Sequence, residues 1–216
     1  MIYIKDILLY TTIKYKNKMM LTLDKYQEKF SSSSIVGRKN SSLHKLLKQK
    51  ISIKKSINID KIIVESLLQI LSENKKSPDY FKKITENKDL HFTLITPPTI
   101  SLLEYIRRIL YFVKLDISTV IIAMIYIDRI CKEKVFLNEF NIHRILIISI
   151  YIAYTYNEDV IFDNNYLSLV SGMNKNEILA LEEDFLDLID FNLFVNDEEY
   201  EQYKIFILND YIVMKN

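Results

Sequence analysis

With two glycines and three prolines among 216 residues, the chain has little of the turn punctuation that a sheet-rich fold requires. The same scarcity rules out a glycine loop cradling a phosphate, and with it nucleotide binding by that route. One cysteine, Cys131, admits neither an intrachain disulfide nor a cysteine-based zinc site, and it suits a reducing compartment. His44, His91 and His143 stand far apart in sequence, each without a second metal ligand at helical or zinc-type spacing, so no metal is expected. No nucleophile elbow occurs, and the carboxylates of 177–201 pattern as a solvated face rather than an acid/base pair. The expectation is a protein that is not an enzyme and has no cofactor and no small-molecule substrate. The apolar runs fall short of the about 20 residues that crossing hydrocarbon requires. Lys5 and Asp6 interrupt what would be the apolar core of a signal peptide. A place inside the cell, in cytoplasm or nucleus and without a membrane partner, is expected. Tryptophan is absent while Lys, Asn, Ile and Tyr abound, a composition that an AT-rich genome would impose.

What is present is apolar residues, at 49% enough for a substantial core, so wholesale disorder is excluded. They recur with helical period over long segments, which predicts an all-α fold. The organising stretch is Phe140–Tyr156, apolar on every side of a helix from Ile145 to Ala153. A helix of that kind must be buried all round. Ser149 and Ala153, one turn apart on one face, would let a neighbouring helix come close.

Net charge is +1 but unevenly spread. Residues 1–50 hold 11 Lys/Arg against 3 Asp/Glu, a surplus of eight positive charges; residues 174–216 hold 3 against 11, a surplus of eight negative ones. The basic segment reads as a mobile extension that could stay solvated or meet nucleic acid, anionic lipid or the chain's own acidic end. From 57 to 213 the pattern is that of one helical domain. A helix capped by Asn58 has a stripe through Ile59, Ile63, Ser66, Leu67, Ile70 and Leu71. A short helix is predicted at 79–87, and Pro97–Pro98 stop any helix before a new one that Thr99 would cap. Asp116 or Ser118 opens the next, Asn138 caps the central one, and a short helix spans 164–170. Gly172 suits a left-handed helix end, and Asn174 with Glu177 has capping-box spacing. The helix after it buries Ile178, Leu181, Phe185, Leu188 and Ile189, and a final amphipathic helix covers 197–213. Five helices thus fall within about 98–190, with one flanking helix before and one after.

Two polar positions stand among apolar ones. Asp128 ends the run VIIAMIYI near a helix C-terminus, where the dipole disfavours an anion, and so requires a partner. Glu182 lies between Leu179 and Leu186 in a strip beside the core face; it marks either an internal ion pair or a surface awaiting a cationic partner. His143, near the start of the central helix, reads as a hydrogen-bonded structural histidine.

The strings YIDR (126–129), LNEFNIHR (137–144), LEEDFL (181–186) and LIDFNLFV (188–195), in order around a buried central helix, resemble those of a cyclin. The NIHR run and the P-x-I-x-x-x-E/D-Y pattern leading into the first helix are similar to the P- and U-type cyclins of the phosphate-signalling branch. The resemblance covers about 58–208 and implies a single cyclin box, no second one following residue 213, and a role as activating subunit of a cyclin-dependent protein kinase. It implies a kinase-binding set of Ile152, Thr155, Tyr156, Glu182, Leu186, Phe191 and Leu193, which favours the partner-surface reading of Glu182. Pro98, Leu102 and Tyr105 loosely match the family's substrate-docking patch. Two departures stand out: Thr155 occupies a position where many cyclins carry a lysine, and Thr99 replaces the arginine that pairs with the aspartate matching Asp128. Asp128 is therefore expected to bond the start of the Thr99 helix or Arg144. The alternative is a cyclin-fold, transcription-factor-like module whose basic N-terminal extension contacts nucleic acid; nucleic acid is the less expected partner.

Overall fold

A computed structural model describes residues 59–86, 91–113, 115–159 and 163–214. The basic segment 1–50 and the expected cap Asn58 lie outside the described residues. Among those described there are eight helices and no strand: α1 Ile59–Lys75, α2 Tyr80–Glu86, α3 Leu102–Val113, α4 Ile117–Glu133, α5 Ile142–Asn157, α6 Asn164–Ser171, α7 Lys175–Leu188 and α8 Asp197–Met214.

The expected axle is α5, with Ile142 and every residue from Ile145 to Ala153 buried. Its broadest contact is with α4, almost as apolar, and α7 and α3 close other sides. Each fully buried Ile or Leu contributes about 1.5–3 kcal/mol of transfer free energy, so ordering this helix is driven by its neighbours rather than by propensity. Ser149 is fully buried and donates its hydroxyl to Leu146 O at 2.8 Å, which satisfies it without a partner from another helix. Around this pair, α1 packs on α3 and α8, α8 on α4, and α6 on α3 and α7. The α1 stripe buries Ile63, Ser66, Leu67 and Ile70 as expected, with Val64 and Asn74 in addition. Asn74 Nδ2 donates to Leu137 O at 2.8 Å, tying the end of α1 to the α4–α5 connection.

The caps partly revise the sequence reading. The third helix begins at Leu102, and its cap is Ser101, not Thr99. Ser101 Oγ accepts from Glu104 N at 3.2 Å, and Glu104 Oε2 accepts from Ser101 N at 3.3 Å and from Ser101 Oγ at 2.7 Å. That S-x-x-E is a capping box; Thr99 is exposed and lies before it. Asp116 occupies the N-cap of α4 without a side-chain bond. Asn138 does not cap α5, which starts at Ile142 with Asn141 at the N-cap. Instead the two asparagines fold the preceding turn: Asn141 Oδ1 accepts from Asn138 N and Asn138 Oδ1 from Phe140 N, both at 2.9 Å, while both side-chain amides donate to Phe136 O. Gly172, at φ 78°, ends α6 in the left-handed region, and Asn174 Oδ1 accepts from Glu177 N at 2.9 Å to open α7. The Glu177 carboxylate turns away from that box to Arg144.

Candidate interaction surface

The exposed end of α5 meets the outer face of α7. Periodicity puts Ile178, Leu181 and Phe185 inward; Glu182 and Leu186 fall beside that stripe, and Leu179, Glu183 and Asp187 face outward. Leu179 is 50% exposed, while Glu182 and Leu186 are half-buried. Burial raises the Glu182 carboxyl above the usual carboxylate range. Among the described residues it has neither a hydrogen bond nor an ion pair. Its negative charge, after burial, helps raise the Tyr151 hydroxyl, which places Tyr151 of α5 beside it. At the end of α5, Tyr156 is 53% exposed. Thr155 is half-buried, and its hydroxyl donates back to Tyr151 O at 3.0 Å and Ile152 O at 3.2 Å. It is thereby satisfied within its own helix and offers no charge where many cyclins carry a lysine.

Of the seven residues that the resemblance implies, Tyr156 and Phe191 are exposed, and Thr155, Glu182, Leu186 and Leu193 are half-buried. Ile152 is corrected: it belongs to the core at 2% exposure, because α5 is covered on that side as on the others. Leu186 and Leu193 also pack partly on the core. Phe191 is held outward by backbone geometry. Its N–H donates to Leu186 O at 2.9 Å, and Asp190 and Phe191 both take φ 53°, a left-handed conformation that costs a non-glycine residue about 1 kcal/mol or more.

The connection from α7 to α8, which carries Phe191 and Leu193, is fastened by the YIDR string of α4. Tyr126 Oη donates to Leu193 O at 2.7 Å; Arg129 donates to Asn192 O at 2.6 Å, Phe194 O at 2.9 Å and Glu199 Oε2 at 2.7 Å. Asp128, fully buried, accepts from the Tyr203 hydroxyl. This corrects the expected partner. Thr99 lies exposed ahead of α3, and Arg144 is drawn to the Glu177 carboxylate and His91 O, so a donor from α8 serves instead. No feature of the sequence pairs positions 128 and 203. Burial and then the Asp128 charge push the Tyr203 hydroxyl far above its usual range, so it stays protonated and able to donate.

Other expected sites resolve plainly. Leu102 and Tyr105 of the docking patch are buried, with Tyr105 Oη donating to Ser171 O at 3.4 Å; only Pro98 is half-exposed, so these three do not form an open patch. Leu102 and Tyr105 sit on the inward face of α3, and Pro98 precedes that helix. His143 bonds Ile100 O through Nε2 at 3.1 Å while burial lowers its pKa, so it is a neutral structural histidine. His91 Nδ1 lies 2.8 Å from Asp184 Oδ2, binding the segment before α3 to α7, and Phe92 beside it stacks edge-on with Phe185 in the core. A cleft of about 540 Å³ next to the clamp is polar; of its three cations, Arg129, Lys132 and Lys134, the first pairs with Glu199 and the last with Asp190. Among the described residues no group of side chains could hold a metal ion, and no helix is long and apolar enough to cross a membrane. The nucleic-acid alternative rests on residues 1–50, outside the described residues.

The family model described as Cyclin matches residues 39–193. Cyclin-U4-3 of Arabidopsis thaliana is 36% identical over 124 residues, 56% of this chain and 57% of its own. Cyclin-P4-1 of Oryza sativa subsp. japonica is 32% identical over 145 residues, 65% and 68% of the two chains. PHO85 cyclin-like protein psl1 of Schizosaccharomyces pombe is 34% identical over 129 residues, 58% and 53%. The chain thus spans between about half and two thirds of the length of these relatives.

Proposed function

This chain belongs to the cyclin family, in its P/U-type branch, and from that premise we propose that it is the activating subunit of a cyclin-dependent protein kinase. It contributes no catalytic group. The surface is the end of α5 together with the outer face of α7 and the segment after it. Binding there would favour the position of the kinase's mobile helix in which the active-site Lys–Glu pair forms, a population shift set by differential affinity. The name of the psl1 relative supports a kinase of the PHO85 kind as partner, and the likeness to the P/U-type branch supports phosphate signalling as the controlled process.

The observation that carries this reading is Glu182: a half-buried carboxylate, raised by burial and unanswered among the described residues, between exposed Leu179 and half-exposed Leu186. An arriving helix that supplied an N–H or cationic donor would satisfy it while burying those leucines. Because Thr155 brings no cation to the contact, apolar packing supplies most of the affinity, and salt weakens it only mildly. The experiment is reconstitution with a panel of purified cyclin-dependent kinase subunits, PHO85-type included, read by co-elution and by phosphorylation of a peptide. Leu179→Asp with Tyr156→Ala changes exposed positions only and should abolish co-elution and activation at unchanged circular dichroism. If no kinase of the panel co-elutes with the parent, or the double variant activates equally, the surface is wrongly assigned.

A further inference from the structure

Only two hydroxyl residues in the chain precede a proline: Ser77 before Pro78 and Thr96 before Pro97. The fold treats them in opposite ways. Ser77 is built into the connection between α1 and α2. Its N–H donates to Asn74 O at 3.0 Å, its carbonyl accepts from Tyr80 N at 3.1 Å in a tight turn, and its hydroxyl accepts from Lys83 Nζ at 3.3 Å. Thr96 has no such ties. It lies in the five-residue stretch 95–99, held at one end by the bond from Leu94 N to Phe140 O at 3.0 Å and at the other by that between His143 Nε2 and Ile100 O at 3.1 Å. Between those anchors no residue has a hydrogen bond to the described protein. Ile95 is 98% exposed, and Thr96, Pro97 and Thr99 are exposed as well.

Pro97 keeps the residue before it out of a helix, and Pro98 does the same to Pro97, so the chain runs through 95–99 without helix and bends at Ile95 and Thr96. Thr96 is thus a hydroxyl displayed on an exposed, proline-followed segment that no hydrogen bond ties to the described protein, where a proline-directed protein kinase can reach it. We propose that Thr96 is a phosphorylation site for a kinase of that class, with ATP as the phosphoryl donor. In the transfer Thr96 Oγ1 attacks the γ-phosphorus, the bond from that phosphorus to the β–γ bridging oxygen breaks, ADP leaves with the electron pair, and the hydroxyl proton passes to the kinase's general base. The fold accommodates the product. A phosphate at Thr96 breaks no existing bond and buries no charge, and its charge of about −1.5 to −2 settles on the surface leading into α3, beside Pro97–Pro98. Ser77 is half-buried and already bonded through its N–H, its carbonyl and its hydroxyl, so it is not displayed in this way.

The proposal does not require that the modifying kinase be the one this chain binds. It is therefore tested with a purified proline-directed kinase of the mitogen-activated class, which needs no cyclin, acting with ATP on the full chain. Intact mass and peptide mapping read the product, and the peptide 91–101 is run in parallel. The parent should take up one phosphate, on Thr96, with its melting temperature unchanged. Thr96→Val and Pro97→Ala should lose that phosphate, and Ser77→Ala should keep it. The proposal is overturned if Thr96 stays unmodified in the intact chain, whether or not the peptide is accepted, or if Pro97→Ala is phosphorylated at Thr96 as readily as the parent.

Discussion

Two carboxylates stand at apolar positions of this molecule and meet different fates. Asp128, in α4, is fully buried and takes a hydroxyl donor from α8. Glu182, in α7, is half-buried and has neither hydrogen bond nor ion pair among the described residues. The helices that carry them explain the contrast. α4 has α5 on one side and α8 on another, so any charge there must be answered within the chain. α7 packs on α5 and α6 and leaves its other side open, so Glu182 keeps partial contact with water and can remain unpaired. An apolar neighbourhood alone does not distinguish a structural carboxylate from one that awaits a partner. The presence of an internal donor does.

The largest effect is expected at the clamp beside Asp128. Arg129→Ala leaves Asn192 O, Phe194 O and Glu199 without their shared donor and should cost about 2–3 kcal/mol, read by chemical denaturation, with kinase binding weakened because the Phe191–Leu193 segment loses its anchor. A variant as stable as the parent would mean that the linker holds itself. Tyr203→Phe comes next. It removes only the hydroxyl that Asp128 accepts from, and should destabilise by about 1–3 kcal/mol; an unchanged melting curve would place the support of Asp128 elsewhere. Glu182→Ala inverts the pattern. Its stability should stay within about 0.5 kcal/mol of the parent, while kinase affinity falls by about 1–3 kcal/mol for the hydrogen bonds left unmade in the complex; loss of stability instead of affinity would make Glu182 structural after all.

The smallest effect is a pH dependence. Burial raises the folded-state pKa of Glu182 above its unfolded value, so the folded protein holds the proton more tightly. Relative to the unfolded chain, this group therefore lowers stability as pH rises from the ordinary glutamate range through the raised value. Glu182→Gln should be slightly more stable than the parent at neutral pH and equal to it below the ordinary range. Thermal melts of both proteins across that window check this, and a variant less stable at neutral pH would reveal a cationic partner.

Much of the architecture could be read from single stretches. The apolar run of 145–153, the three-and-four spacing of Ile178, Leu181 and Phe185, and Gly172 followed by Asn174 each fix a local structure through local physics. The capping box of Ser101 and Glu104 is equally local, although Pro97–Pro98 by themselves point to a helix start at Thr99. The strip around Glu182 also follows from spacing, as does its place beside the core. Which faces are covered does not. Leu102 and Tyr105 have the pattern of a broad apolar face whether or not another element lies on it, and Ile152 differs from Tyr156 only in what is packed above it. The bond between Asp128 and Tyr203 joins positions 75 residues apart and exists because α8 crosses α4 at that point. Periodicity is set by bonds between near neighbours in the chain, so the sequence alone determines it; burial and partner choice depend on how separate helices come to rest against one another, and only the tertiary structure decides them.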